Sequence, residues 1–99
     1  MISILNNIPV GEQNAISREK LCAVTGLNDR SVRNNIALLR NDFVILYSIN
    51  HGGYFRPDRE DVLKVKAFVN MEKRRAASIL NGIDKAIELI NITEREAVI

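Results

Sequence analysis

One cysteine, Cys22, and one histidine, His51, occur in the 99 residues. These shortages exclude an intramolecular disulfide framework and zinc clusters of the usual Cys/His spacing. A Ser-His-Asp or Cys-His pairing would have to be built on His51 alone. With no catalytic set in view, neither an enzyme nor a cofactor is expected. Long apolar runs are missing too. Phe43-Val44-Ile45-Leu46-Tyr47 is far shorter than the roughly 20 residues a membrane-spanning helix needs. The start, Met1-Ile2-Ser3-Ile4-Leu5, has no basic n-region and no small-residue cleavage site, so a secretory signal is not expected and the expected location is cytoplasmic.

Charge of one sign is scarce as well, with a net charge of +2, but its distribution says more. Residues 1–59 carry seven basic side chains (Arg18, Lys20, Arg30, Arg33, Arg40, Arg56, Arg59) against five acidic ones, and residues 60–99 carry seven of each. The excess lies wholly in the first part and points toward polyanions. Hydrophobic residues at 46% and charged residues at 26% are a globular balance, not a disordered one. The length suits one domain, or a smaller domain with an appendage.

Local signals divide the first part into short elements. Ile2–Ile8 reads as a brief helix closed by Pro9, followed by a turn at Pro9-Val10-Gly11. Asn14-Ala15-Ile16 reads as extended. Ser17 is an N-cap for a helix from Arg18 to Thr25, with Lys20 in place of the capping-box acid, and Gly26 ends that helix in the left-handed conformation. After a Leu27-Asn28 turn, Asp29 is expected to cap a second helix running to about Asn41. Phe43–Ile49 reads as a strand, Asn50-His51-Gly52-Gly53 as a hairpin tip, and Tyr54-Phe55-Arg56 as the return strand. Tyr54 and Phe55 alternate, so one faces the core and the other outward. Pro57 ends the strand.

The segment from Ser17 to Asn41 carries the functional signal. Cys22, four residues before Gly26, is expected to be a small buried residue where the two helices approach closely. On the second helix, Val32, Ile36 and Leu39 are spaced +4 and +3 and form a buried stripe. At about 100° per residue the opposite face centres on Arg30, Asn34 and Ala37, flanked by Ser31, Arg33 and Leu38. The face of the helix's first half is therefore Arg, Ser, Arg, Asn, without an acid. Arg can bond bidentately to guanine and Asn to adenine, while Ser and Arg can hold phosphates. The bland reading of the same residues is a solvated helix face.

At these residues the chain resembles a winged helix-turn-helix domain. The resemblance rests on Ile16-Ser17-Arg18-Glu19-Lys20-Leu21, Thr25-Gly26-Leu27, Arg30-Ser31-Val32-Arg33, Ile36, Leu39 and the Gly-Gly hairpin. The fuller run, with Ile8-Pro9-Val10-Gly11, Asn14-Ala15-Ile16-Ser17 and Gly53-Tyr54-Phe55-Arg56-Pro57, is similar to small phage and prophage helix-turn-helix proteins of Gram-positive bacteria. It covers about residues 2–57. The resemblance implies a mainly α fold, a three-helix core with a β-hairpin wing. It implies that Arg30, Ser31, Arg33 and Asn34 enter the major groove and that His51, Tyr54 and Arg56 lie on or near the wing; Arg18 and Lys20, basic residues of the preceding helix, are expected to contact DNA phosphates. The wing tip departs from the family in its small positive charge.

Residues 58–99 are expected to form a second element, a long C-terminal helix capped by Asp58 with Glu60 and Asp61 in its first turn. Val62, Val65, Val69, Glu72, Ala76, Ile79, Ile83, Ala86 and Ile90 alternate spacings of 3 and 4, a heptad seam with one charged interruption. Phe68, Leu80, Ile87 and Leu89 widen it. Such a helix would be about 50 Å long, roughly twice the width of a 57-residue domain. Its distal half would bury its seam against another copy, with Val69, Ala76, Ile79, Ile83, Ala86 and Ile90 as the dimer residues. Two recognition helices would then lie on one duplex about one helical turn apart. Asn81-Gly82 could instead fold the segment into a helical hairpin. Lys73-Arg74-Arg75 reads as a solvated face, with flanking phosphate contact as the sharper alternative. Ile92–Ile99 reads as a fraying end or as further oligomer contact.

The expected function is sequence-specific binding of double-stranded DNA by a dimer, as a transcriptional regulator or replication-origin binder. The alternative is a winged-helix protein-interaction module that binds no DNA.

Overall fold

Ile8 leaves no side-chain surface exposed and Ile4 almost none, so the N-terminal segment is core rather than appendage. In the computed structural model, which describes residues 4–97, Ile4–Asn7 forms a single 3-10 turn. Ile2 and Ser3 lie outside the described residues. A second 3-10 turn, Glu12–Asn14, was not expected. The described residues therefore hold one 3-10 turn where a first core helix was expected, joined by three α-helices further on.

Helix α1 spans Arg18–Thr25, capped by the Ser17 hydroxyl, which accepts from the Lys20 N–H. Gly26 ends it at φ 73°, where a side chain would be strained. The Thr25 hydroxyl adds a donor to the Leu21 carbonyl at 2.6 Å. Helix α2 spans Asp29–Leu39. Its cap is Asn28, not Asp29: the Asn28 Oδ1 accepts from the Ser31 N–H at 2.8 Å. Both residue types cap well, and the tight turn starts the helix one position earlier than Asp29 allows. The N–H groups of Asn41, Asp42 and Phe43 fold back on Leu38 and Leu39 carbonyls. That wrapped helix end takes the start of the expected strand, and Phe43 and Val44 are half exposed.

The sheet is correspondingly short. Strand β1 (Leu46–Ser48) pairs antiparallel with β2 (Gly53–Phe55), with Tyr47 opposite Tyr54. Beyond β2, Ile16 forms an antiparallel bridge to Tyr54, with reciprocal N–H···O bonds of 2.9 and 2.8 Å. Val10 bridges Arg56 in parallel. Gly53 makes the close approach possible: a Cβ there would sit 2.4 Å from the Ile16 carbonyl oxygen. Tyr54 and Phe55 are both buried, at 7% and 1% exposure, because β2 has neighbours on both edges and core on both faces.

Leu21, Val32, Ile36, Ile45 and Ile8 form the centre of the core with Tyr54, and Leu5, Ile16, Cys22 and Leu39 pack against it half-buried. Cys22 therefore sits at the edge of the core, not inside it. Complete burial of each such aliphatic side chain contributes about 1.5–3 kcal/mol.

Asp58 accepts from the Glu60 N–H, and the Asp61 carboxylate reaches back to the Asp58 N–H, closing a capping box on the 3-10 turn Arg59–Asp61. Helix α3 follows without a break from Val62 to Ala97, about 54 Å of helix. It runs straight through Asn81-Gly82, so no helical hairpin forms. Val98 and Ile99, part of the expected frayed end, lie outside the described residues.

The chain divides into two compact units after Val65, eight residues beyond the boundary expected at Pro57. The reason is a polar network of the first unit. Lys64 pairs with Glu12 at 2.5 Å and with Asp61 at 3.2 Å. Ser48, 1% exposed, donates from its hydroxyl to Glu12 at 2.8 Å and accepts from the His51 N–H at 3.0 Å. These bonds hold the first turn of α3 to the hairpin and the Glu12 turn. The second unit, Lys66–Ile99, consists of α3 alone over its described residues. Residues 73–97 are exposed throughout, including Ile79, Ile83, Leu89 and Ile90 at about half or more of their surface. Among the described residues no helix is long and apolar enough to cross a membrane.

Candidate nucleic-acid interface

Helix α2 turns Val32 and Ile36 fully inward, and that choice decides what faces solvent. Arg30, Arg33, Asn34 and Ala37 are exposed, while Ser31 is half-buried. Ser31 sits on the flank of the stripe, with its N–H tied to Asn28 and its carbonyl accepting from Asn35 at 2.7 Å. It is the least available of the four expected groove residues. Among the described residues the side chains of Arg30 and Asn34 have no hydrogen-bond or ionic partner. They stand one turn apart on the middle of the outward face.

The expected absence of acid on this face does not hold. Asp29, half exposed, forms an ion pair with Arg18 of α1 and a second with Arg33 at 3.1 Å. The Arg33 pair follows from i,i+4 spacing and could have been read from sequence. The Arg18 pair joins two helices and carried no such signal. Arg18 is also held by the Tyr54 side chain, and that hydrogen bond, followed by the Asp29 carboxylate, raises the pKa of its guanidinium above the ordinary arginine value. Exposed pairs of this kind stabilise little. Their effect is positional: Asp29 sets the direction of two cations beside Arg30 and removes one unit of positive charge from the patch.

The hairpin residues divide. Tyr54, expected on or near the wing as a DNA contact, has its ring in the core, packed edge-to-face on Tyr47 with centroids 5.1 Å apart. Burial against α1 and Ile16 leaves only its polar tip to meet Arg18. Arg56, also expected on the wing, donates its Nε–H to the Ile8 carbonyl at 2.7 Å and is half-buried. It ties the hairpin to the N-terminal segment and is a structural arginine. His51 is exposed at the tip, beside Gly52 with φ 64°. Lys20, on the first turn of α1, is exposed, and its side chain has no partner among the described residues. Lys20, Ser17 and His51 line one open depression together with Asn6, Asn7 and Asn14. A cation, an imidazole and several amides around a capped helix start make a surface suited to anions.

Two small cationic clusters result. One is Arg30 with Asn34, flanked by the Asp29-linked Arg18 and Arg33. The other is Lys20 with His51. Among the described residues no group of three or more His, Cys, Asp or Glu could hold a metal ion. The seam residues Val69, Ala76, Ile79, Ile83, Ala86 and Ile90 all lie on α3, and all are exposed. Comparison with family models, with curated proteins and with solved structures finds no match for this chain.

Proposed function

We propose that this chain is a winged-helix protein that binds double-stranded DNA as a homodimer. The observation that carries the reading is the free Arg30–Asn34 pair. It lies on the outward face of an eleven-residue helix that joins α1 through a turn at Gly26. The order of elements supports it. A strand residue, Ile16, precedes α1 and α2 and then pairs with the hairpin that follows them, as the strands of a winged helix do. A helix of this size fits the roughly 12 Å major groove. Arg30 would read a guanine edge and Asn34 an adenine edge, each at about 1–3 kcal/mol of discrimination. Arg33, Arg18 and Lys20 would hold phosphates, and His51 would approach a neighbouring phosphate from the hairpin tip. Binding is the whole of the mechanism. The outcome would be transcriptional control or recognition of a replication origin.

The exposed seam of α3 supports the dimer. A lone helix with a row of Ile and Leu in water has little to stabilise it, and a second copy would cover that row.

One observation favours a second reading. Asp29 occupies two of the three arginines near the groove-facing surface, and Leu38 on the same helix is 67% exposed. A protein partner would suit such a face. Titration of mixed duplex DNA at several salt concentrations separates the readings. A DNA binder loses affinity with a log–log slope of about −0.9 per phosphate neutralised, and selection from random duplexes then yields a preferred site. No salt-sensitive shift would favour the protein partner.

A further inference from the structure

From the pattern of charge along α3 we infer that the dimer helices pair antiparallel, in the register that sets Ile79 of one copy against Ile90 of the other. The inference rests on the homodimer reading above and adds its direction and register. In an antiparallel pair, seam residues face each other when their numbers add to a constant, an a position opposite a d position of the partner; flanking positions meet their own kind, at a sum two lower on one flank and two higher on the other.

The register through Ile79 and Ile90 also sets Ile83 opposite Ala86 at the centre, large against small. On the flanks it brings Lys73 to Glu94 and Arg75 to Glu96, each pair formed twice by symmetry. It sets Gly82 against Leu89, where the missing side chain leaves room for the larger one. Within the single chain, Lys73, Glu94 and Glu96 have no ionic partner among the described residues. Arg75 has only a 3.4 Å contact to Glu72 on its own helix.

The alternatives lose these matches. A parallel pair sets Glu72 against its own copy in the seam, an unfavourable like-charge contact, and gives Lys73 and Arg75 the apolar flanks Phe68 and Leu80. A shift of one heptad one way sets Glu72 against Ile90. A shift the other way sets Glu94 and Glu96 against Leu80 and Gly82. In the favoured register Glu72 meets only Ala97, near the last described turn, where water reaches it. The paired stretch is 72–97, so Val69 falls outside it. The two Val65 residues, where the first units end, then lie about 58 Å apart along the paired helices.

Thiol cross-linking of the full chain, with Cys22→Ser as background, tests the direction. Ile79→Cys alone should give no linked dimer on oxidation. Mixed with Ile90→Cys chains, it should give linked product in high yield. A self-linked Ile79→Cys dimer would overturn the antiparallel direction while leaving the dimer itself standing. A monomer by sedimentation equilibrium of the unmodified chain at tens of micromolar would overturn both. Charge exchange tests the register without new thiols. Lys73→Glu with Arg75→Glu should weaken the dimer roughly tenfold at low salt. Adding Glu94→Lys and Glu96→Lys to the same chain should restore it, and failure of that restoration would overturn the register.

Discussion

Replacing Gly53 by alanine should separate the hairpin from the segment that leads into α1. The added Cβ would stand 2.4 Å from the Ile16 carbonyl oxygen, 2.5 Å from its carbon and 2.9 Å from the Ser17 nitrogen. All three are backbone atoms, so no side chain can swing aside. Relief to a contact of about 3.0 Å requires the backbones to part by some 0.6 Å, which carries the Ile16–Tyr54 bonds to about 3.5 Å, outside the hydrogen-bonding range. Those bonds are 2.9 and 2.8 Å in the native protein. Two lost bonds at about 1 kcal/mol each, with some cost for leaving their groups buried, come to roughly 2–4 kcal/mol. For a domain of this size that is a fall in Tm on the order of 10–30 °C. Far-ultraviolet dichroism is a poor reporter because α3 dominates it. The two tyrosines are a good one: Tyr47 and Tyr54 stack in the first unit, and the chain has no Trp. Their near-ultraviolet dichroism should lose its midpoint early in the variant. A tyrosine transition within about 2 °C of the native one would refute the close-approach account.

Gly82→Ala is the opposite case within one chain, where nothing lies within 4 Å of the added Cβ; in dilute solution, below the range of dimer formation, helix propensity should stabilise α3 by about 1 kcal/mol, read as a higher far-ultraviolet midpoint. Ser48→Ala should cost about 1–2 kcal/mol, because the buried hydroxyl serves both Glu12 and the His51 N–H, and urea denaturation checks it. Acid should weaken the first unit. Lys64 and then Ser48 lower the Glu12 pKa from 4.5, and the Asp58 N–H, opposed by burial and helped by Lys64, lowers that of Asp61 from 3.8. Stability from these carboxylates is complete above their ordinary values and is lost as pH falls through the depressed ones, from below 4.5 for Glu12 and from below 3.8 for Asp61, so the tyrosine-monitored Tm should drop there and drop less in Lys64→Met. On DNA, Arg30→Ala and Asn34→Ala should flatten sequence preference, whereas Lys20→Ala should weaken all duplexes alike and reduce the salt slope by about 1; equal losses on every sequence in all three would refute the assignment.

The helices were legible where a local signal exists. Ser17, Gly26 and the Val32/Ile36/Leu39 stripe mark α1 and α2 within a few residues, because caps and periodicity act over one or two turns. The capping box at Asp58 and the heptad seam of α3 are equally local. What escaped depends on contacts across the chain. The strand forecast over Phe43–Ile49 shrank to Leu46–Ser48 because the end of α2 wraps back on its own carbonyls. Tyr54 and Arg56 were expected on or near the wing, but the bridge to Ile16 and the bond to the Ile8 carbonyl draw them into the body of the first unit. The unit boundary moved past Pro57 because Lys64 reaches Glu12, a pairing that no spacing rule announces. The outward face of α2 was legible at Arg30 and Asn34, which the α2 stripe places by rotation alone. The neutralising role of Asp29 needed α1 and α2 packed together before Arg18 could reach it.

Glu72 is the residue on which the direction of the proposed dimer turns. It interrupts an otherwise apolar seam, and stability alone would prefer leucine there. A carboxylate at that position is tolerable in the antiparallel register, where it faces Ala97 near an open end, and costly in a parallel pair, where two copies would meet in the seam. Glu72→Leu should therefore have two effects. The parallel arrangement gains a continuous seam from Val62 to Ile90, and the charge that opposed it is gone. Total association should tighten, and oxidation of the Ile79→Cys chain carrying Glu72→Leu should now yield some self-linked dimer where the parent yields none. Arg75 would lose its contact with Glu72 but keep Glu96 of the second copy, so the antiparallel form would persist beside the new one. If the double variant shows no self-linked product while associating more tightly, Glu72 does not select direction and the flanking charge pairs alone must do so.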